Sequence, residues 1–407
     1  MAKKSTPNKT DLPTTPKWPR SRWVETQAHC RRLFNPSSPI DDEMLFSGRL
    51  EQVSDLLTVV YDKGAHAILY GERGVGKSSL ANIITSKVPA AVKNIKFLKQ
   101  NCQPEDDFFI LWAKMLFEFY YQETSVSDFL RDEDRHFIVV KIIESLKKDY
   151  QYVFIFDEFD RIENQETKSA MADTIKHFSD YPQNITIIVV GVGYSIEELF
   201  GAHPSVQRCC QQIPMPRMSS KELREIIIDR YKKIRISVPK RIENQIIEVA
   251  RGLPGYVHLL GRESALSALR KDRLQIQNSD YDTAINESVK KSQESVISSY
   301  NKAVYSSRDN IYDKVLLACA LAKTDDRGRF SASTVRDALA KVLGRPIEIA
   351  GFARHLAAFS DPDRGPVIRK TGKPKRFQYA FLEAPLQPYI IMVAKLDFGH
   401  HAAWQSA

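Results

Sequence analysis

A chain of 407 residues, 43% hydrophobic and 27% charged, has an ordinary globular composition with room for two or three domains. No apolar stretch reaches membrane-spanning length, the lysine-rich start lacks an apolar signal core, and the five cysteines (Cys30, Cys102, Cys209, Cys210, Cys319) form no C-x-x-C pair; the composition therefore argues against a membrane partner, secretion, a disulfide framework and a zinc site, and a cytoplasmic location is expected. The net charge of +9 is concentrated in residues 1–33, with eight Lys/Arg against Asp11 and Glu25, and in residues 361–376, with Arg364, Arg369, Lys370, Lys373, Lys375 and Arg376 against Asp361 and Asp363, a clustering that suits a polyanion as well as a merely solvated face.

Residues 1–32, rich in Pro, Thr, Lys and Ser at their start, read as a basic disordered tail. Within it Trp18, Arg20, Arg22 and Trp23 interleave rings and cations, which suits stacking on bases or docking on a partner as well as a loosely packed tail. Residues 33–217 read as an α/β core. An amphipathic helix is expected up to about Tyr61. Just ahead of it, Gly48 and Arg49 could lay backbone and guanidinium against an adenine, or simply cap the helix.

Ala65 to Tyr70 is a short apolar run fit for a buried strand, and Gly71 to Ser78 follows it as G-x-x-x-x-G-K-S. Gly71, Gly74 and Gly76 allow the tight turn in which the backbone N–H groups of Glu72, Arg73, Val75 and their neighbours converge on phosphate oxygens. Lys77 can reach the β- and γ-phosphates, the Ser78 hydroxyl can bind Mg²⁺, and Ser79 lies on the first turn of a helix whose positive end faces the same place.

A second strand is expected over Asn94–Gln100, with helices over Pro104–Tyr121 and His136–Leu146. The run from Tyr152 to Asp160 is apolar and ends in acids, as a buried parallel strand entering a site would. Asp157 is the expected Mg²⁺ aspartate, and Glu158 the expected general base for an attacking water. A helix over Glu166–Phe178 and a strand over Ile185–Val190 complete the alternation, which predicts a parallel sheet covered on both faces. Tyr194 and Ser195 are candidates for sensing the γ-phosphate. Arg208 is either a finger aimed at a neighbouring subunit's γ-phosphate or a surface salt-bridge residue.

Residues 218–305 read as a helical lid and connector, with helices over Lys221–Arg235 and Pro239–Ala250 and one long helix through 289–305. The Gly252-Leu-Pro-Gly turn would place His258 and Arg262 on a helix able to fold over a nucleotide. Residues 306–395 contain helix-length blocks at 312–323, 332–343 and 347–359, then a basic hairpin and the alternating strand Phe377–Leu382; three helices and a hairpin describe a winged helix. Arg354 and His355 are the readers its third helix offers, and 396–407 is left as a tail.

Together, Phe46-Ser-Gly-Arg49, the Gly71–Ser78 loop, Asp157-Glu-Phe-Asp160, Arg208 and the Gly252–Arg262 turn-helix resemble AAA+ P-loop ATPases of the initiator (origin-recognition) clade and the related STAND signalling ATPases. The resemblance covers residues 33–392. It implies a P-loop NTPase sheet with a helical lid and a winged-helix C-terminal domain. It also implies ATP and Mg²⁺ as cofactors, Gly48/Arg49 at adenine, Arg208 as a trans-acting finger and Arg262 as the lid's sensor. The expected function is an ATP-hydrolysing switch that assembles as a homo-oligomer and engages DNA through the winged helix. The alternative is a signalling ATPase whose winged helix and tail dock a protein effector. No repeat array follows the last domain, so a sensor or effector is expected on another polypeptide. A small-molecule kinase would not need the C-terminal hundred residues.

Overall fold

The computed structural model describes residues 18–36, 39–40, 46–91, 94–120, 139–140, 143–144, 146, 149–201, 204–306, 311–362, 365–373 and 376–397. Residues 1–17 of the expected tail, much of the expected 136–146 helix, and Arg364 and Lys375 of the basic hairpin lie outside them.

Five strands, β1 (His66–Gly71), β2 (Ile95–Asn101), β3 (Gln151–Asp157), β4 (Ile185–Val192) and β5 (Cys210–Pro214), pair in parallel in the order β2-β3-β4-β1-β5. The central strands β3 and β4 are near-continuous apolar runs because both of their faces are covered, while the outer strands β2 and β5 carry polar residues. Val153, Ile155, Ile188 and Val190 pack against α2 (Leu50–Tyr61) and α3 (Lys77–Ala91). The alternating residues Phe154, Phe156, Ile187 and Val189 pack against α4 (Phe108–Tyr120) and α5 (Gln165–Asp180). Pairing of Gly71 with Val192 and of Asn101 with Asp157 brings the strands' carboxyl ends to one edge.

Two short helices, α6 (Ile196–Phe200) and α7 (Pro204–Cys209), lead into β5. The lid holds α8 (Ser220–Lys233), α9 (Lys240–Ala250), α10 (Pro254–Arg270) and α11 (Asn278–Lys290), and a Ser219–Glu222 capping box starts it. The single connector helix expected through 289–305 is broken: α12 runs Glu294–Val304 after an extended Gln293. Lys290, Lys291, Ser292 and Gln293 offer no apolar side chain to hold a continuous helix.

The expected tail needs a larger correction. Residues Arg20–Leu33 form helix α1, which buries Trp23, Cys30 and Leu33 against the lid. These positions are seven and three residues apart, one face of a helix, so a segment whose composition is polar overall still has a packing stripe.

The C-terminal region follows the order α13 (Tyr312–Leu321), β6 (Phe330–Ser331), α14 (Ala332–Leu343), α15 (Ala353–Phe359), β7 (Ile368–Thr371), β8 (Gln378–Phe381) and α16 (Leu386–Asp397). Its three strands form an antiparallel sheet in the order β6-β8-β7. The third expected helix is split, with a 3₁₀ turn at Ile349–Gly351 before α15. Helix α16, absent from the sequence expectation, packs Ile390 and Met392 into the core that the lid's Leu266 and Ile285 share with Leu316 of α13. Among the described residues no helix is long and apolar enough to cross a membrane.

Candidate functional site

The glycine loop joins β1 to α3 at the sheet's carboxyl edge. Gly74 and Gly76 take φ of +86° and +99°, a region that L side chains avoid. Lys77 begins α3 with its side chain buried, and Nζ donates to the carbonyls of Gly71 at 2.9 Å and Glu72 at 2.8 Å. Burial lowers its pKa to about 8, against the pull of Asp160, Asp157 and Glu72. Ser78 Oγ donates to Asp157 Oδ1 at 3.2 Å, which also accepts the Glu158 N–H at 2.9 Å. Lys99 of β2 places Nζ 2.9 Å from Asp157 Oδ2. Ser79 Oγ accepts the Ile40 N–H at 3.0 Å, and Arg73 is exposed.

Glu158 follows β3 with φ +58°, an unusual backbone for a non-glycine residue and one that turns its carboxylate outward, where it pairs with Arg161 at 3.0 Å. Asp160 Oδ1 accepts the Val192 N–H at 2.7 Å and ties the acidic turn to the end of β4. Ser78 Oγ and the Asp157 carboxylate are hard oxygen donors, the set that suits Mg²⁺ shared with phosphate oxygens. Among the described residues no group of three or more His, Cys, Asp or Glu side chains forms a self-sufficient metal cage.

Glu72, at the second position of the loop, is a hub. Its carboxylate accepts Arg217 Nε–H at 2.6 Å and the Tyr194 hydroxyl at 3.2 Å. Arg217 Nη1 also donates to the carbonyl of Arg251 at 3.1 Å and to Gln387 Oε1 of α16. The turn at Asp325–Arg329 presses on this pair: a β-carbon at Gly328 would lie 2.3 Å from Glu72 Oε1. Arg327 Nη1 donates to the Tyr194 carbonyl at 3.2 Å. Glu198 accepts the Tyr194 N–H on one oxygen and Arg369 Nη1 of β7 on the other, each at 3.0 Å. Of the two sensor candidates, Tyr194 reaches the loop; Ser195 caps α6 and makes no side-chain cap bond.

Several expected positions come out differently. Arg49 is buried, and its Nη2 donates to the carbonyls of Val75 at 3.1 Å and Pro216 at 2.5 Å, while its N–H meets Glu222 Oε1 at 3.1 Å. Gly48 lies against the Glu222 side chain. The guanidinium therefore clamps the loop to the junction between β5 and the lid; it does not lie open to an adenine, because it is buried and both carbonyls accept from it. Arg262 needs a like correction: it pairs with Glu263 at 3.2 Å and faces Cys30 of α1. Leu253 sits against the loop, and nine further residues along α10 carry the chain about 13 Å away. His258 is buried against Phe34, with its pKa lowered to about 3 by burial and by the Arg230 and Arg262 charges, so it too faces α1. Arg208 is 70% exposed and meets Asp180 at 3.5 Å, near the start of β5 and so at the sheet edge opposite the loop. His355 is buried beside Tyr312 and leaves Arg354 as the exposed cation of α15.

Lys99, Arg217 and Gln387 are functional-site neighbours that the sequence reading missed. Lys99 does carry a signal, a cation inside a strand two residues before its end. Arg217 and Gln387 carry none, since Arg217 meets Glu72 across 145 positions of chain and Gln387 across 170.

Residues 39–354 match the family model described as Novel STAND NTPase 1. Among solved structures the chain is similar to CDC6P from Pyrobaculum aerophilum (TM-score 0.51, 15% identity, 90% of this chain and 97% of that one). It is similar also to the Aeropyrum pernix ORC1 protein solved in complex with DNA (0.51, 14%, 90% and 98%). A third match is the Walker-type ATPase PABY2304 of Pyrococcus abyssi (0.50, 16%, 88% and 99%). At these identities the likeness is one of fold. No curated protein sequence matches the chain.

Proposed function

The chain belongs to the novel STAND NTPase 1 family, and from that premise we propose that it is an ATP-hydrolysing molecular switch. The observation that carries the reading is the convergence of Lys77, Ser78 and Asp157 at one edge of a parallel sheet, with Ser78 Oγ 3.2 Å from Asp157 Oδ1. On this reading Gly71 to Ser79 cradle the phosphates. Lys77 leaves the carbonyls of Gly71 and Glu72 for the β- and γ-phosphates, whose charge favours the protonated amine. Ser78 and Asp157 hold Mg²⁺, which when bound supplies charge neutralisation between the phosphates. Glu158 swings from Arg161 to orient and deprotonate water. Arg208, exposed and at the opposite edge, completes a neighbouring copy's site in an ATP-dependent homo-oligomer. The test is equilibrium binding of a fluorescent ATP analogue: the unsubstituted protein binds, and Lys77→Ala does not. Equal binding by both would overturn the reading.

The basic hairpin supports DNA as the partner of the C-terminal region. Arg369, Lys370, Lys373 and Arg376 are exposed on β7 and its turn, and the order α13-β6-α14-α15-β7-β8 is that of a winged helix. The similar Aeropyrum pernix ORC1 protein was solved with DNA. The second reading, a dock for a protein effector, draws on α15, whose single exposed cation Arg354 is a poor set of base readers. Duplex binding followed by anisotropy at two salt concentrations separates them: DNA contact predicts tight, steeply salt-dependent binding, and a protein dock predicts none.

A further inference from the structure

Strand β2 ends Phe97-Leu-Lys-Gln-Asn101 beside the acidic end of β3. Lys99 Nζ donates to Asn82 Oδ1 of α3 at 2.6 Å and lies 2.9 Å from Asp157 Oδ2. The side chains are 23% and 4% exposed, so this ion pair is largely withdrawn from water. Asp157 Oδ1 is already taken by Ser78 Oγ and the Glu158 N–H, so both carboxylate oxygens have donors. Asn82 fixes the amine from the far side, which makes the cation part of the site's construction and not a surface side chain that happens to fold over.

We propose that Lys99 is a positioning residue that holds Asp157 in place and serves as a resident counter-charge on the metal side of the site. The inference rests on the nucleotide-site reading above. A cation bound between phosphates, Ser78 and Asp157 would meet a second positive charge that it cannot displace, because Asn82 and the strand anchor it. Like charges at short range repel, and Asp157 Oδ2 must share its lone pairs between Lys99 and a metal-bound water. The chain therefore trades metal affinity for a site that stays neutral and pre-shaped without metal. Nucleotide is then retained with a weak dependence on Mg²⁺, a property suited to a switch that holds its ligand for long periods.

The test uses the full chain and a fluorescent ADP analogue, with affinity measured in excess Mg²⁺ and in chelator. The dissociation constant in chelator divided by that in excess Mg²⁺ is expected to rise on the order of tenfold in Lys99→Met and in Lys99→Gln, which keeps a hydrogen bond but not the charge, and to stay near the parental value in Lys99→Arg. Melting of the nucleotide-free protein is a second readout: Lys99→Met lowers Tm, and adding Asp157→Asn restores much of the loss, because the buried carboxylate no longer lacks a partner. An unchanged ratio in both neutral variants, with binding intact, overturns the counter-charge role alone. Absence of nucleotide binding by the unsubstituted protein overturns the nucleotide reading and this proposal with it. Melting losses that add without any rescue overturn the pairing.

Discussion

Arg217 donates Nε–H to the Glu72 carboxylate across 2.6 Å, with side chains only 7% and 5% exposed, so one ion pair joins the glycine loop to the turn that leads into the lid. The same guanidinium reaches the Arg251 carbonyl and Gln387, and the carboxylate also meets the Tyr194 hydroxyl. Loop, sheet end, lid and C-terminal helix therefore share one polar junction.

Arg217→Ala leaves Glu72 buried without its charge partner, which is expected to cost about 3–5 kcal/mol. Thermal melting of the nucleotide-free protein checks it. Glu72→Gln added to Arg217→Ala should recover part of the loss, since the neutral amide is cheaper to bury; a loss below about 1 kcal/mol would mean the junction relaxes around the cavity.

Lys77 links stability and binding to pH. Burial lowers its pKa from the ordinary 10.5 to about 8, so from about pH 8 to 10.5 the unfolded chain binds more protons than the folded one. Its contribution to the stability of the nucleotide-free protein therefore rises with pH across that window. Nucleotide reverses the sign: phosphates favour the charged amine, so binding near pH 9 takes up close to one proton and weakens as pH climbs above 8. Calorimetry in two buffers of different ionisation enthalpy measures the uptake, and a value near zero would contradict it.

Glu158 is exposed and paired with Arg161, so Glu158→Gln should change stability by less than about 1 kcal/mol. Nucleotide binding is expected to persist while phosphate release falls about 10²–10⁴-fold. Hydrolysis at the parental rate would move the base to another residue, and Asp160 is the next acid on the same turn.

Arg208→Ala is expected to leave nucleotide affinity unchanged and to lower turnover steeply only at concentrations where the protein self-associates. Turnover that is independent of protein concentration, in both the parent and the variant, would make Arg208 a surface partner of Asp180 alone.

Glu198 holds Arg369 of β7 at 3.0 Å while also accepting the Tyr194 N–H. Glu198→Gln should weaken the hold on the basic strand and raise duplex affinity of the nucleotide-free protein several-fold, most clearly at low salt. Anisotropy with a labelled duplex reads it. Unchanged binding in a protein that does bind DNA would show that Arg369 is not a phosphate contact.

The helix–strand alternation, the glycine loop and the acid-terminated strand were all legible as local patterns. Each is encoded within about ten residues: Gly74 and Gly76 set the backbone of the turn, and the continuous apolar runs at 153–156 and 187–190 require cover on both faces. The α1 helix was not legible, because its stripe of Trp23, Cys30 and Leu33 is thin and the surrounding residues are basic. Arg262 and His258 matched a motif by spacing, yet the helix axis carries them past the loop to α1. Arg49 stood at the right place in the chain, but the carbonyls of Val75 and Pro216 claim its guanidinium.

The sequence by itself determined that a glycine-rich G-x-x-x-x-G-K-S loop, a strand ending in acids and a parallel sheet occur together, because those features depend on the backbone preferences of neighbouring residues. Only the tertiary structure decided which charges answer one another. Lys99 meets Asp157 across adjacent strands, and Arg217 meets Glu72 across 145 positions of chain. Such pairs form because folding withdraws each charge from water and brings an opposite charge within reach, a condition set by the packing of the whole domain and by no local pattern.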